Sequence, residues 1–239
     1  MTRLRAFGRL ALLLGLVIGC VIPHLLAKLR GPSPWPRRFL RNAGRIAGFD
    51  VRIEGTPLLH DVFFVANHLS WIDILLLGGA TGCAFISKDG VQRAPLVGWL
   101  AAQNNTIFVA RERRGEVSSH IDSVRDALAA HQPIALFAEG GTGDGKTLLP
   151  FKPPLFAVLL PPPRAILVQP VVIDYGAATP LVVWGAESGV ANALRILGAP
   201  GRRTVTLRFL APFDPGEHPD RKTLAAQTRA LIEAAQAQR

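Results

Sequence analysis

Two runs in the second half of the chain, IALFA at 134–138 and ILVQPVVI at 166–173, are almost unbroken apolar sequence. A strand open to solvent on one side alternates apolar with polar residues, so a run without alternation belongs to a strand covered on both faces. With the first run starting at 133, further short strand-like runs fall at 50–54, 61–66, 83–87, 105–110, 181–184 and 204–210. Between them lie stretches with helical spacing at 71–79, 92–102, 116–131 and 221–237. In the third of these, Val117, Ile121, Val124 and Leu128 share one face. Strands alternating with helices predict an α/β fold, a largely parallel central sheet flanked by helices. The 239 residues, 49% of them hydrophobic, can bury a core of that size, and no internal repeat or boundary interrupts 50–239.

The net charge of +10 belongs to one end of the chain. Residues 1–49 hold nine Lys or Arg and no acid, while residues 50–239 hold 18 basic and 17 acidic side chains. Within the basic end, 10–27 (LALLLGLVIGCVIPHLLA) has no charged side chain unless His24 is protonated. That length reaches about 27 Å as a helix, just under a hydrocarbon core of about 30 Å, and Pro23 and His24 interrupt it. A helix dipped into one leaflet, a spanning helix and a cleaved signal all remain open, although no A-x-A-like cleavage site follows. Basic flanks on both sides give no orientation.

After the break GPSPWP (31–36), Phe39, Leu40, Ala43, Ile46 and Ala47 fall at helical spacing, ringed by Arg37, Arg38, Arg41 and Arg45. A basic amphipathic helix suits an anionic membrane surface; the alternative is a helix packing its stripe on the core with solvated arginines. The expectation is a membrane-associated helical segment, 1–49, preceding a globular domain, 50–239, at the cell membrane on its cytoplasmic face. Nucleic acid is not expected, because no binding motif or aromatic platform accompanies the charge. Cys20 and Cys83 make neither a disulfide framework nor zinc spacing, as in a reducing compartment.

The run 61–66 leads into Asn67-His68-Leu69-Ser70-Trp71-Ile72-Asp73 and then a helical stretch. A strand-to-helix turn is where open α/β sheets carry their sites. The His-x4-Asp spacing lets an imidazole before the helix meet a carboxylate in its first turn, which frees the second ring nitrogen as a general base. Ser70-x-x-Asp73 also reads as a capping box with Asp for Glu, which accounts for Asp73 without chemistry.

NHLSWID resembles the NHxSxxD block of the glycerolipid acyltransferases, and further blocks of that family follow in order. SKDG (87–90) is similar to the block whose lysine meets the acceptor headgroup, and IFVAR (107–111) to the block with an arginine after an apolar strand. FAEGGTGDGKTLLPFKPPLF (137–156) resembles the Pro-Glu-Gly-Thr block with its downstream Pro-Phe-Lys, and VQPVVI (168–173) the late Val-Pro-Val block. The resemblance implies transfer of a fatty acyl group from acyl-CoA or acyl carrier protein to a lysolipid hydroxyl, with no metal and no bound cofactor. It implies His68 as base and Asp73 as its orienting partner. Asn67, Lys88, Arg111, Glu139, Gly140, Gly141 and Thr142 become candidates for the acceptor and its headgroup. The first acceptor expected is 1-acylglycerol-3-phosphate. Three departures bear on it: Ala138 stands for the Pro, Gly141 for the Thr and Thr142 for a basic anion ligand. They leave Lys146 or Lys152 to meet an anion and keep another lysolipid, such as lyso-ornithine lipid, as the alternative acceptor. Without a Gly-x-Ser-x-Gly elbow or a suitable cysteine, a direct displacement is expected.

One rival occupies the same loop. Gly140 to Thr147 (GGTGDGKT) formally matches the phosphate-cradling G-x4-G-K-[ST] pattern, with Val171–Asp174 as a second nucleotide-site strand. That pattern needs a helix starting at its Lys-Thr, yet Pro150, Pro153 and Pro154 follow within seven residues of Thr147.

Overall fold

The computed structural model describes residues 1–109, 117–129 and 132–238. Its strands are β1 (Phe49–Glu54), β2 (Val62–Ala66), β3 (Ala84–Lys88), β4 (Ile107–Val109), β5 (Ile134–Phe137), β6 (Leu167–Asp174) and β7 (Arg203–Phe209). They form one sheet in the order β1-β7-β6-β2-β5-β3-β4. Neighbours run parallel everywhere except β6 against β7, so five adjacent strands from β6 to β4 share one direction. The α/β expectation holds, with one antiparallel step.

The helices, in chain order, are α1 (Thr2–Lys28), α2 (Trp35–Ile46), α3 (Ile72–Thr81), α4 (Asp89–Gln92), α5 (Pro95–Gln103) and α6 (Val117–Ala129), then α7 (Thr179–Val182), α8 (Gly189–Gly198) and α9 (Arg221–Ala237). Each central strand buries both sides of its pleat. Phe64, Ala66, Phe137 and Val171 pack with Ile72, Leu76 and Leu77 of α3 and Ile196 of α8. Phe63, Val65, Leu136 and Val172 pack on the other side with Val124 and Leu128 of α6 and Leu224 and Ile232 of α9. Burial on both sides is why β2 and β5 read as unbroken apolar runs.

Two expectations need correction, and two features go beyond the sequence reading. LVVW at 181–184 is not a strand. Pro180 takes the first turn of α7, which Pro's fixed φ favours, and Arg195 claims the carbonyls of Pro180, Leu181 and Val183. The helix expected at 92–102 is present as α5 but starts at Pro95, which opens its first turn, and a separate short α4 precedes it. α8, opened by Ser188 accepting the Ala191 N–H, was not anticipated. Pro23 does not stop α1, which runs 27 residues, about 40 Å at the usual helical rise.

α1 is long and apolar enough to cross a membrane, with 6% of its most apolar stretch buried. Both its ends are tied to the rest of the chain. Arg5 donates to Gly198 O, and Arg9 donates to Ala47, Leu197, Ala199 and Gly201 carbonyls at the ends of α2 and α8. Cations on helix C-terminal carbonyls contribute about 0.3–1 kcal/mol each. Near the other end, the His24 imidazole hydrogen-bonds Ser33 Oγ at 2.8 Å and Gln103 Oε1 at 3.0 Å. α2 packs its apolar stripe on α3, burying Leu40, Ala43 and Ala47. Arg37 and Arg41 of that helix donate to the Ala80 and Gly79 carbonyls at the end of α3, while Arg38 lies exposed over the Trp35 ring. Half of the arginine ring is therefore structural.

Candidate active site

Three adjacent parallel strands, β6, β2 and β5, end at one edge of the sheet, and a polar cluster forms just beyond them. Asn67 continues the β2–β6 ladder with its side chain, donating through Nδ2 to Ile173 O at 3.0 Å and accepting the Ile173 N–H at 2.8 Å. Its amide is committed to the backbone, and it fixes where the chain leaves β2.

The next residue, His68, points its Nδ1 at Asp73 Oδ2, 2.8 Å away. The same oxygen accepts the N–H groups of Leu69 at 2.7 Å and Ser70 at 2.9 Å. The bond to Ser70 is one half of the capping box expected from the sequence. The carboxylate thus caps α3 and holds the imidazole at once, so the two readings of Asp73 are not alternatives. A carboxylate that accepts requires the proton on Nδ1, which leaves Nε2 as the ring's open lone pair. Asp73 is fully buried, whereas the His68 side chain keeps 18% exposure, enough for the free nitrogen to meet a substrate.

Tyr175, just past β6, completes the carboxylate's shell by donating to Asp73 Oδ1 at 2.5 Å. Burial, then the Asp73 charge, holds its phenol well above the ordinary value of 10.0, so it stays a donor. Glu139, just past β5, accepts the His68 N–H on Oε1 at 2.8 Å and the Leu149 N–H on Oε2 at 2.9 Å. Burial raises its carboxyl, against the pull of those two N–H groups. The Phe137 ring stacks on the His68 ring with centroids 4.0 Å apart. One strand end therefore supplies the floor under the imidazole and the acceptor for its backbone.

Gly140 adopts φ +74°, and a Cβ there would lie 2.7 Å from Lys152 Nζ, so the loop turns beneath that side chain. Gly141 and Thr142 are half-buried, and Gly143 ties the loop back by donating to His68 O at 2.7 Å. The loop does not become a P-loop. Asp144 Oδ1 accepts from Lys146 N and Thr147 N in a tight turn, and the next regular element is a 3₁₀ segment at Pro153–Leu159. No helix starts at Lys146-Thr147, which removes the nucleotide-binding reading. Lys88 ends β3 at the same edge of the sheet, exposed and two strands from β2. Arg111 lies outside the described residues. Neither cysteine suits nucleophilic attack: both are buried, and burial pushes the Cys83 thiol up to about 12.

Beside the cluster, α1, α2, α3 and α5 enclose an apolar cavity of about 530 Å³, lined by Leu13, Val17, Phe39, Trp71, Ile74 and Trp99 among others. Trp71 follows the His68 turn, and Phe85 of the cavity wall stacks on Phe137, whose ring contacts His68. The cavity and the imidazole are two ring contacts apart.

A profile of the acyltransferase family matches residues 49–174. A lyso-ornithine lipid O-acyltransferase of Brucella abortus (strain 2308) is 34% identical over 90% of this chain and 89% of its own length. A 1-acyl-sn-glycerol-3-phosphate acyltransferase of Neisseria gonorrhoeae is 27% identical over 80% of this chain and 77% of its own. The crystal structure of the 1-acyl-sn-glycerophosphate acyltransferase PlsC from Thermotoga maritima shares the fold, with TM-score 0.66 and 23% identity over 85% of this chain and 77% of that one. With the family's blocks in order and its histidine and aspartate in contact at the sheet edge, the chain belongs to the acyltransferase family that contains the lysolipid and 1-acylglycerol-3-phosphate acyltransferases.

Proposed function

We propose that the chain is a membrane-associated O-acyltransferase that moves a fatty acyl group from an acyl thioester, on CoA or acyl carrier protein, to the hydroxyl of lyso-ornithine lipid. The observation that carries the chemistry is His68 Nδ1 on Asp73 Oδ2, with that carboxylate buried among four donors. His68 Nε2 takes the acceptor hydroxyl's proton as the oxygen attacks the thioester carbonyl. The C–S bond breaks, the ester forms, and the imidazolium returns its proton to the departing thiolate. Asp73 stabilises the imidazolium between those events. The balance closes without a metal or bound cofactor and without an acyl-enzyme.

Two observations support this acceptor over 1-acylglycerol-3-phosphate. Relatives named lyso-ornithine lipid O-acyltransferases are 29% to 34% identical, against 27% for those named 1-acylglycerol-3-phosphate acyltransferases. Thr142 also stands where a basic residue would meet a phosphomonoester.

The apolar cavity is the place for a fatty acyl chain, since its lining is almost wholly hydrocarbon. α1 forms one wall and leaves Leu12, Ile18, Ile22 and Leu25 exposed away from it. A helix tied down at both ends, with one face on the cavity and the other bare, fits a position within one leaflet. The site then receives its lysolipid from the bilayer, at the cytoplasmic face where acyl thioesters are made. The test is acyl transfer by the purified full-length protein in lipid nanodiscs, offered lyso-ornithine lipid and 1-acylglycerol-3-phosphate side by side with each donor. Faster acylation of lyso-ornithine lipid is expected; a preference for 1-acylglycerol-3-phosphate would reverse the acceptor assignment.

A further inference from the structure

The glycine-rich loop that imitates a P-loop has a second face. A cleft of about 610 Å³ lies between it and the segment after β6, lined by Asp144, Lys146, Thr179, Val183, Glu187 and Arg195 among others. Two independent ties fix this cleft relative to the catalytic turn. Gly143 donates to His68 O at 2.7 Å. On the far wall, Trp71 Nε1 donates to Asn192 Oδ1 at 3.0 Å, and Asn192 Nδ2 donates to Glu187 Oε1 at 2.9 Å. Gly145 lets the loop press inward: at φ +75°, a Cβ there would lie 2.6 Å from Thr179 and 3.0 Å from Leu69. Its neighbours on each side, Asp144 and Lys146, both line the cleft.

The charges of the wall divide into a spent pair and a working pair. Arg195 is saturated: it grips the Glu187 carboxylate and donates to the carbonyls of Pro180, Leu181 and Val183. Glu187 is correspondingly held in its charged form by Arg195 and Asn192. Asp144 uses only Oδ1 in its turn, leaving Oδ2 for a ligand, and the N–H groups of Thr147 and Lys146 keep the carboxylate charged. The cleft therefore presents one carboxylate and one ammonium against a neutral background. A phosphomonoester dianion would leave it with net negative charge, whereas a headgroup carrying both signs would leave it neutral.

We propose that this cleft is the acceptor headgroup site, and that it selects a zwitterionic amino-acid headgroup, with Asp144 taking the ammonium and Lys146 the carboxylate. The proposal rests on the lyso-ornithine lipid reading, because ornithine with one amine acylated keeps one ammonium and one carboxylate. It also gives the P-loop-like sequence a use: the glycines bend the loop so that residues on either side of Gly145 face the same cleft.

The test is steady-state acylation by the full-length protein in mixed micelles, with three acceptors: lyso-ornithine lipid, its carboxyl methyl ester and its N-acetylated form. Asp144→Asn keeps an oxygen for the turn, so it removes charge without unravelling the loop; Lys146→Gln is its counterpart. Asp144→Asn is expected to raise KM about tenfold for lyso-ornithine lipid and for the methyl ester, with kcat changed much less, and to leave the N-acetylated acceptor unaffected. Lys146→Gln is expected to do the reverse, penalising the N-acetylated form and sparing the methyl ester. A wild-type enzyme active on lyso-ornithine lipid whose two variants keep KM within about twofold on all three acceptors would overturn the cleft assignment alone. A wild-type enzyme that acylates 1-acylglycerol-3-phosphate but not lyso-ornithine lipid would overturn the acceptor reading, and the zwitterion proposal with it.

Discussion

Tyr175 and Asp73, 102 residues apart in sequence, are joined by a 2.5 Å hydrogen bond inside the core, on the carboxylate oxygen opposite the one that holds His68. The phenol meets the Asp73 oxygen that takes no bond from the turn before α3. It thereby holds the carboxylate that orients the imidazole from its far side.

Tyr175→Phe is accordingly expected to lower kcat about tenfold, because the carboxylate that orients His68 loses one of its four donors. Leaving Asp73 Oδ1 buried and unpaired should cost about 1–3 kcal/mol in urea unfolding. A variant that loses stability while its folded fraction keeps the wild-type kcat would make Tyr175 structural only.

Asp73→Asn removes the charge that stabilises the imidazolium and one acceptor of the α3 turn. The expected loss is about 10³–10⁴-fold in kcat, together with lower stability. A cap alone is worth about 1 kcal/mol and would leave turnover of the folded fraction intact. Measuring kcat and the urea midpoint on one preparation separates the two contributions.

Glu139 carries the clearest pH signature. Burial raises its carboxyl above the ordinary 4.5, so the folded chain binds a proton that the unfolded chain has already released. Stability must therefore fall as pH rises from about 4.5 through the raised value. Glu139→Gln should lack that particular decline, and melting temperatures of both proteins across this window show whether it does. Identical slopes would mean that Glu139 titrates normally.

The arginines of α2 should divide by what they touch. Arg37→Gln and Arg41→Gln uncap the end of α3 and are expected to lower stability, each by about 0.3–1 kcal/mol, with little change in vesicle binding. Arg38→Gln and Arg45→Gln, at exposed positions, should leave stability alone. Each should weaken binding to anionic vesicles by about 1 kcal/mol, less so at high salt. Cosedimentation and thermal melts of the four variants give the comparison.

What could be read from the sequence was what the sequence keeps local. His68 and Asp73 are five residues apart, on either side of the turn into α3, and the unbroken apolar runs of β2 and β5 report burial on both faces. Tyr175 was invisible because only the β2–β6 pairing, set by the whole sheet, carries it to Asp73. Glu139 was legible as a candidate for the acceptor loop, but it holds the backbone N–H groups of His68 and Leu149, and no side-chain pattern signals that. LVVW at 181–184 looked like a strand because β-branched residues favour one, yet Arg195, a dozen residues on, takes its carbonyls. The arginines of α2 looked alike, and only the packing of α2 on α3 separates those on helix ends from those facing out. α8 did carry a legible sign, Ser188 ahead of an apolar stripe, hidden by the glycines around it.

The most direct test of the central claim is single-turnover acyl transfer to lyso-ornithine lipid in nanodiscs by the wild type and by His68→Ala, with folding checked by circular dichroism. Removing a general base is expected to cut the rate by at least about 10²–10⁴-fold while the fold and the vesicle binding of α1 persist. A folded His68→Ala protein that forms the ester product within a few-fold of the wild-type rate would contradict the assignment of His68 as the base.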